Sequence, residues 1–209
     1  MRKIVGVILA MLLLVMSSVS AQVTFQARKE AVYKSYYYES VFSYDKAIEL
    51  LQPLNKATSE KDYFFNVRLG WLHFKKKNYE NSKFHYQRAL LQVPTSIEAM
   101  LGLSLPMMAM GKWAAVETLM YKILMLDSGN YYGNRRLAEA LRQQQKYLLS
   151  MKVSAKMLSK YPLDKLFLQE HGIASFLLGE KSAALETFST LLLVDQDNQV
   201  AKYYLGFLK

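Results

Sequence analysis

The chain has 209 residues, of which 52% are hydrophobic and 21% are charged, and its net charge is +10. This apolar fraction is enough for a packed core, which excludes a chain that is disordered throughout. The sequence contains no cysteine, so disulfides, cysteine-based zinc sites and a thiol nucleophile are also excluded. Few glycines and prolines exclude collagen-like and linker-like chains, which leaves a basic, mostly helical protein.

The first 21 residues have the pattern of a secretory signal peptide. Two basic residues precede an uncharged apolar run at residues 4–16, and the small residues Val19 and Ala21 predict cleavage before Gln22. The run is shorter than the roughly 20 residues of a membrane-spanning helix. We therefore expect an exported bacterial protein, periplasmic or secreted, with no membrane span after cleavage. An uncleaved membrane anchor is the alternative.

The remaining sequence repeats itself at a constant spacing, without a gap from residue 63 to residue 209. A pair that is usually a leucine followed by a small residue recurs at Leu69-Gly70, Leu103-Ser104, Leu137-Ala138, His171-Gly172 and Leu205-Gly206. Turn sequences follow the first four of these pairs at a constant distance, and they are centred on Asn78, Lys112, Lys146 and Glu180. Pro94 and Pro162 close two of the repeats.

This pattern resembles the tetratricopeptide repeat, a helix-turn-helix unit of about 34 residues. The residues that match the family in the two strongest copies are Leu69, Gly70, Tyr79, Tyr86, Ala89 and Pro94, then Gly172, Gly179, Ala184 and Phe188. Within a domain at 22–209, the predicted units are a degenerate copy at 28–61, full copies at 63–96, 97–130, 131–164 and 165–198, and a terminal helix at 199–209. The resemblance implies an all-α, right-handed superhelical solenoid; another α-solenoid or an irregular bundle is the alternative.

One proline departs from the repeat pattern. Pro106 falls inside the first helix of its unit, where it removes a hydrogen bond and clashes with the preceding turn. We therefore expect a kink or a break between Gly102 and Pro106.

Catalytic and metal-binding patterns are missing from the sequence. No nucleotide-binding glycine loop, nucleophile elbow or paired metal-ligand motif occurs, and carboxylates such as Glu98, Glu139 and Glu170 lie in different repeats. His73 and His171 fall at packing positions, so we expect them to be semi-buried. We predict a protein that is not an enzyme and has no cofactor or metal.

Six methionines lie between Met100 and Met125. Thioethers bind Cu(I) in some exported proteins. Methionine also fills irregular cores and forms adaptable surfaces, and the irregularity at Pro106 favours that interpretation.

The resemblance also implies a partner-binding groove, because fixed positions on the first helices line the concave face in this family. On this chain those positions are Phe64, Val67, Trp71, Lys75, Glu98, Leu101, Leu105, Met108, Tyr132, Arg135, Glu139 and Arg142, continuing onto Phe176, Leu177 and Phe207. Trp71, Tyr132 and Arg135 belong to the residue types that dominate interfaces, so we predict them as anchors for a peptide or protein partner. The carboxylate clamp of the family's cytosolic co-chaperones is absent, since Val67, Arg68 and Trp71 occupy its positions.

Charge is uneven along the chain: residues 63–96 and 131–164 each carry a net charge of +5, whereas residues 165–198 carry −3. Lysines at helix ends explain part of this excess, because they interact favourably with the helix dipole. A surface for an acidic partner or an anionic membrane is the alternative. We expect no nucleic-acid partner, since an exported protein seldom meets one.

Two functions fit these features. The first is a non-catalytic protein–protein interaction scaffold of the cell envelope that binds a partner in the groove. The second is a structural subunit that self-associates or joins a larger assembly through its ends. In the second case a homo-oligomer could form through apolar residues of the terminal helix such as Tyr203 and Phe207.

Overall fold

The computed structural model describes residues 25–57 and 63–208. The predicted signal segment, residues 1–21, lies outside the described residues. The described chain divides into two compact bodies, an N-terminal body up to Gln92 and a C-terminal body from Val93 onward. All regular elements in the described ranges are helices, which confirms the predicted all-α class.

The described part of the N-terminal body comprises α1 at residues 25–40, α2 at Tyr44–Ala57, α3 at Tyr63–Lys75 and α4 at Tyr79–Gln92. The C-terminal body comprises α5 at Ile97–Ala109, α6 at Trp113–Leu126, α7 at Tyr131–Gln143, α8 at Tyr147–Leu158, α9 at Lys165–Leu177, α10 at Lys181–Val194 and α11 at Gln199–Gly206. Within each body, every helix packs on the next along the chain. Among the described residues, no helix has the length and apolar character needed to cross a membrane.

The starts of four helices recur at the repeat period. In the C-terminal body the residues that cap α5, α7, α9 and α11 are Ser96, Asn130, Asp164 and Asn198, each one full repeat after the last. Each side chain accepts a hydrogen bond from a backbone N–H two or three residues further on. Such a cap satisfies a donor that the first helical turn leaves free.

The turn inside each repeat also has one geometry. Among the described residues, those with a positive φ are Phe42, Lys77, Gly111, Gln145 and Gly179. The last four recur at the repeat spacing, and Phe42 precedes Lys77 by one residue more. After each of these five residues, the next N–H donates to a carbonyl five residues back, as Asn78 N does to His73 O at 2.9 Å. This is the hydrogen bond of a Schellman C-cap, which reverses the chain after the first helix.

Buried serines join the two helices of two repeats. Ser82 Oγ donates to the Gly70 carbonyl at 2.7 Å, and Ser150 Oγ donates to the Ala138 carbonyl at 2.8 Å. These bonds occupy the same positions two repeats apart. Small side chains at these positions let the helices approach, and the hydroxyl is satisfied within the gap.

Each body has an apolar core of its own. In the N-terminal body, Leu51, Leu69 and Leu72 are fully buried between α2 and α3. In the C-terminal body, Phe188 and Leu191 of α10 pack against residues of α9 and α11. Met100 and Met120 are buried, as expected of core methionines, whereas Met125 is exposed.

The expected break at Pro106 is wrong, because α5 runs without interruption from Ile97 to Ala109. Two side chains support the turn before the proline. Ser104 Oγ donates to the Leu101 carbonyl at 2.8 Å, and Arg136 Nη1 of α7 donates to the same carbonyl and to Ser104 Oγ. Tertiary hydrogen bonds thus hold a helical turn that the proline alone would weaken.

Candidate functional site

The predicted groove residues of the C-terminal body share one surface. On α7, Tyr132, Arg135, Glu139 and Arg142 follow one another at spacings of three and four residues, which places them on one side of the helix. Helix α7 packs beside both α5 and α9. We call this surface the odd-helix face. It comprises those four residues together with Glu98, Leu101, Leu105 and Met108 of α5.

Part of this face is committed to holding α7 and α9 together. Arg142 Nε donates to Glu170 Oε2 at 2.8 Å, and Arg142 Nη2 donates to Glu170 Oε1 at 3.3 Å. Glu170 is buried, and the pair has the bidentate geometry in which the arginine fork matches a carboxylate. Arg142, predicted as a groove residue, therefore also has an internal structural partner.

Glu139 lies beside this ion pair and is half-buried. Burial raises the pKa of the Glu139 carboxyl above its usual value, and the negative charge of Glu170 raises it further. Arg135, Arg142 and Arg136 act in the opposite direction. The odd-helix face thus places a carboxyl of raised pKa among arginines. A ligand that adds or removes charge at this point alters the protonation of Glu139.

Tyr132 and Arg135 are the predicted anchors that remain available to a partner. The Tyr132 side chain is 53% exposed, with the Arg136 guanidinium 6.0 Å from its ring centroid. Arg135 forms no ion pair with any described residue, whereas Arg142 is paired with Glu170 and Arg136 is bound to α5. On α5, Glu98 is exposed, and Leu101, Leu105 and Met108 are partly exposed.

The predicted anchor of the N-terminal body is less available. Trp71 Nε1 donates to Glu39 Oε1 of α1 at 2.5 Å. Arg68, only 6% exposed, pairs with the same carboxylate and lies 3.9 Å from the Tyr36 ring centroid. Lys75 is exposed and lies 5.4 Å from the Trp71 ring. Trp71 therefore joins α3 to α1 through its N–H and offers only part of its ring outward.

Two cavities open on the surface formed by α1 and α3. The first, of about 320 Å³, is lined by Phe64 together with Phe25, Arg28, Lys29, Val32, Tyr33 and Phe65. The second, of about 390 Å³, is lined by Lys75 together with Tyr36, Glu39, Ser40, Phe42 and Tyr44. Phe64 and Lys75 thus line cavities, and Val67 lies partly buried on the same helix.

Sequence reasoning missed the residues of α1 on this surface. The predicted groove positions lie on the full repeats and the terminal helix, and none lies on the degenerate copy at 28–61. In that copy, the same positions are Lys29, Val32, Tyr36, Glu39 and Ser40, all of which line the two cavities. Extending the repeat register to the degenerate copy identifies these five residues.

Buried histidines stack in the core of the N-terminal body. The rings of His73 and His85 lie 5.3 Å apart and nearly parallel, and His85 Nδ1 lies 3.1 Å from Asn66 Oδ1. Burial lowers the pKa of His73, and it lowers the pKa of His85 to about 4. His171 is half-buried against Thr187, at 3.2 Å, and burial lowers its pKa too.

At the end of the C-terminal body, α11 covers part of the predicted face. The Phe176 ring lies 4.9 Å from the Tyr204 ring, so Phe176 packs under the terminal helix. Leu177 and Phe207 remain exposed. The described residues hold no group of three or more acidic or histidine side chains placed to bind a metal ion.

Comparison with solved structures identifies the architecture. A tetratricopeptide-repeat protein from Parabacteroides merdae superposes with a TM-score of 0.79 at 15% identity, over 88% of this chain and 72% of that one. MamA from Desulfovibrio magneticus gives 0.75 at 12% identity, over 83% and 97%. The chain has the tetratricopeptide-repeat fold.

A third tetratricopeptide-repeat structure is similar to this chain. YrrB, described as having an unusual peptide-binding site, superposes with a TM-score of 0.73 at 12% identity, over 84% of this chain and 90% of that one. No protein-family model and no curated protein sequence matches the chain. At these identities the likeness to solved structures concerns the fold alone.

Proposed function

We propose that the chain is a non-catalytic protein–protein interaction scaffold whose odd-helix face binds a peptide segment of a partner protein. The observation that carries this proposal is the contrast among the three arginines of α7. Arg136 and Arg142 are used inside the fold, whereas Arg135 makes no ion pair with any described residue and lies one turn from the exposed Tyr132. Tyrosine and arginine are the residue types that most often dominate interfaces.

The chemistry of the face favours a partner segment with apolar and acidic side chains. Partly exposed Leu101, Leu105 and Met108 offer an apolar strip on α5, and Arg135 on α7 offers a cation. An acidic side chain of the partner would gain a charge-assisted hydrogen bond there. YrrB, a solved protein of the same fold, carries a peptide-binding site, which supports this class of function by analogy.

A capture experiment tests the proposal. The tagged full-length chain is used to capture partners from an envelope extract, alongside a Tyr132→Ala, Arg135→Ala variant. The control variant is Lys181→Ala, Leu185→Ala, which removes one cation and one exposed apolar side chain from α10. We expect a partner that the wild type and the control retain and the α7 variant loses. Equal capture by all three proteins would contradict binding on the odd-helix face.

The proposed location is the bacterial cell envelope or the exterior. Support comes from the basic start, the apolar run at residues 4–16 and the small residues before Gln22. N-terminal sequencing of the protein from its source cell should begin at Gln22. A start at Met1 in a soluble cytosolic fraction would contradict export.

A structural role in a self-assembled complex is the second candidate. On α11, Tyr203 and Phe207 are mostly exposed, and their rings lie 5.0 Å apart, so they form one apolar surface. Sedimentation of the wild type and of a Tyr203→Ser, Phe207→Ser variant over a range of concentrations tests this role. Mass that rises with concentration only in the wild type supports it, and a constant monomer mass contradicts it.

A further inference from the structure

The outward sides of α6 and α8 carry a stripe of exposed residues that repeats with the chain. The exposed positions on α8 and its C-cap are Leu148, Leu149, Lys152, Ala155, Lys156 and Ser159. The six equivalent positions of the preceding repeat, on α6, are exposed as well. The spacing of three and four residues puts each set on one side of its helix. We call these two sides together the α6–α8 stripe.

The two helices of the stripe run side by side in the same direction. At their starts, Lys146 Nζ lies 2.6 Å from Glu117 Oε2. At their ends, Lys156 Nζ donates to the Ser128 carbonyl at 2.9 Å. Both helices also pack on α7. The exposed side chains of α6 and α8 therefore form one continuous surface of the C-terminal body.

The charge of this surface has one sign. The exposed charged side chains within the two helices are Lys122, Lys152 and Lys156, and the exposed Lys160 follows just beyond the end of α8. The one carboxylate within the two helices, Glu117, is held by Lys146 and Gln144. Beyond the end of α6, the exposed Asp127 accepts hydrogen bonds from the Gly129 N–H and the Asn130 amide. Among the described residues, none of the four lysines has a carboxylate partner.

Large apolar side chains lie among these lysines. Tyr121, Leu148 and Leu149 are each a little under half exposed, and Met125 is 79% exposed. Beyond the end of α8, Lys160 lies 5.3 Å from the ring of Tyr161, and Leu163 is exposed. Protein surfaces that lie in a membrane interface combine lysines, which meet the headgroups, with leucine and aromatic side chains, which are buried beneath them.

The fold itself does not require cations at these positions. In the next repeat, the positions of Lys152 and Lys156 are occupied on α10 by Glu186 and Thr190. Neither α6 nor α10 has a basic residue in its last turn. Since α10 forms without these cations, the fold of such a helix does not require Lys152 or Lys156, although Lys156 also donates to the Ser128 carbonyl.

From this combination we infer that the α6–α8 stripe docks the C-terminal body on the surface of an anionic lipid bilayer. The lysines reach the headgroups, while Leu148, Leu149 and Met125 enter the interface beneath them. The lysines and apolar side chains are spread over the surface and do not form a pocket. Lipid headgroups in a fluid bilayer can rearrange to meet side chains that are spread in this way. The inference does not depend on the proposed peptide site, because that site lies on α5 and α7.

Vesicle co-sedimentation tests the inference on the protein as its source cell produces it. The probes are vesicles of phosphatidylcholine alone and of phosphatidylcholine mixed with phosphatidylglycerol. The test variant is Lys152→Gln, Lys156→Gln, Lys160→Gln. The matched control is Lys165→Gln, Lys181→Gln, Lys202→Gln, which removes the same charge from other sites of the same body. Helicity is checked for each protein.

We expect preferential binding to the anionic vesicles. Because each lysine near an anionic surface strengthens binding about fivefold, the test variant should bind about 100-fold more weakly, and the control should bind nearly as the wild type does. The Leu148→Ser, Leu149→Ser variant should also bind more weakly than the wild type. Its loss should be clearest at raised salt, where the charges are screened and the apolar contribution dominates. If the triple lysine variant folds poorly, the double leucine variant still tests the inference.

Three outcomes would overturn the inference. Equal binding to neutral and anionic vesicles would remove the electrostatic argument. An equal loss in the test and control variants would show that total charge matters rather than this surface. Binding to soluble polyglutamate as tight as to vesicles, with no effect of the leucine substitutions, would assign the stripe to an acidic protein instead.

Discussion

Gly172 of α9 lies directly against the ring of Phe188 of α10: a Cβ atom added to Gly172 would lie 2.7 Å from Phe188 Cε1. Three repeats earlier, a Cβ atom on Gly70 would lie 2.9 Å from two carbons of the Tyr86 ring. Carbon atoms in contact are separated by about 3.5–4.0 Å, so neither position accepts a side chain. The two helices of these repeats therefore approach as closely as they do because glycine faces an aromatic ring.

The variant Gly172→Ala should lower the free energy of unfolding by about 2 kcal/mol, since overpacking a core costs up to about 3 kcal/mol and alanine regains about 1 kcal/mol of helix propensity. Phe188 is fully buried and cannot move aside freely. Denaturant titration followed by circular dichroism measures the change. Gly206→Ala is the control, because nothing lies within 4 Å of its Cβ position. Equal stability of the two variants would contradict the packing argument.

The buried histidine pair predicts a pH-dependent stability. The pKa of His85 falls from 6.5 to about 4 in the folded chain, mainly through burial. Above pH 6.5 the full stability is present, because His85 is neutral in both states. As the pH falls from 6.5 to about 4, the unfolded state takes up a proton that the folded state refuses, so stability is lost.

The loss through His85 should reach about 3 kcal/mol, at about 1.4 kcal/mol for each unit of pKa difference. Denaturant titrations at a series of pH values measure it. His85→Gln is the control, because glutamine keeps an amide near Asn66 and does not titrate. The control should lose less stability over the same pH range. Parallel curves for both proteins would show that other groups cause the dependence.

The fold could be predicted from the sequence because its signals are local and recur. The residue that reverses the chain at each turn and the residue that caps each first helix of the C-terminal body both follow the repeat spacing. The break predicted at Pro106 was wrong because the effect of this proline depends on a residue of the next repeat. Arg136 supports the turn before the proline, and a pattern within one helix does not contain that contact.

The candidate site was less predictable than the fold. The register placed Tyr132, Arg135 and Arg142 on one side of α7, but it does not tell a free arginine from one paired across helices. Arg142 meets Glu170 and Trp71 meets Glu39 only through side-chain contacts between repeats. Such contacts depend on rotamers and on burial, which a repeat pattern does not encode. Whether the predicted residues bind a partner stays a prediction.

The contact between Arg136 and α5 predicts an energetic coupling with Pro106. Arg136→Met removes the donor to the Leu101 carbonyl and Ser104, which should cost about 1–3 kcal/mol. In a Pro106→Ala background, α5 regains a backbone hydrogen bond, so the same substitution should cost less. A double-mutant cycle from denaturant titrations measures the difference. Additive effects of the two substitutions would show that Arg136 does not compensate for the proline.

The arginines of α7 should separate into structural and binding residues. Arg142→Ala leaves the buried carboxylate of Glu170 without its partner, which should lower the free energy of unfolding by about 3 kcal/mol. Arg135→Ala removes a cation that forms no ion pair within the described part of the chain, so the stability of this variant should stay within about 0.5 kcal/mol of the wild type. Denaturant titrations of both variants give these values.

Partner capture by the same two variants completes the separation. Arg135→Ala should reduce capture at unchanged stability, because its guanidinium is free to meet an acidic group of the partner. Arg142→Ala, tested under conditions where it remains folded, should retain the partner if its main role is to hold α7 against α9. A large stability loss from Arg135→Ala would contradict this division of roles, as would undiminished capture by that variant.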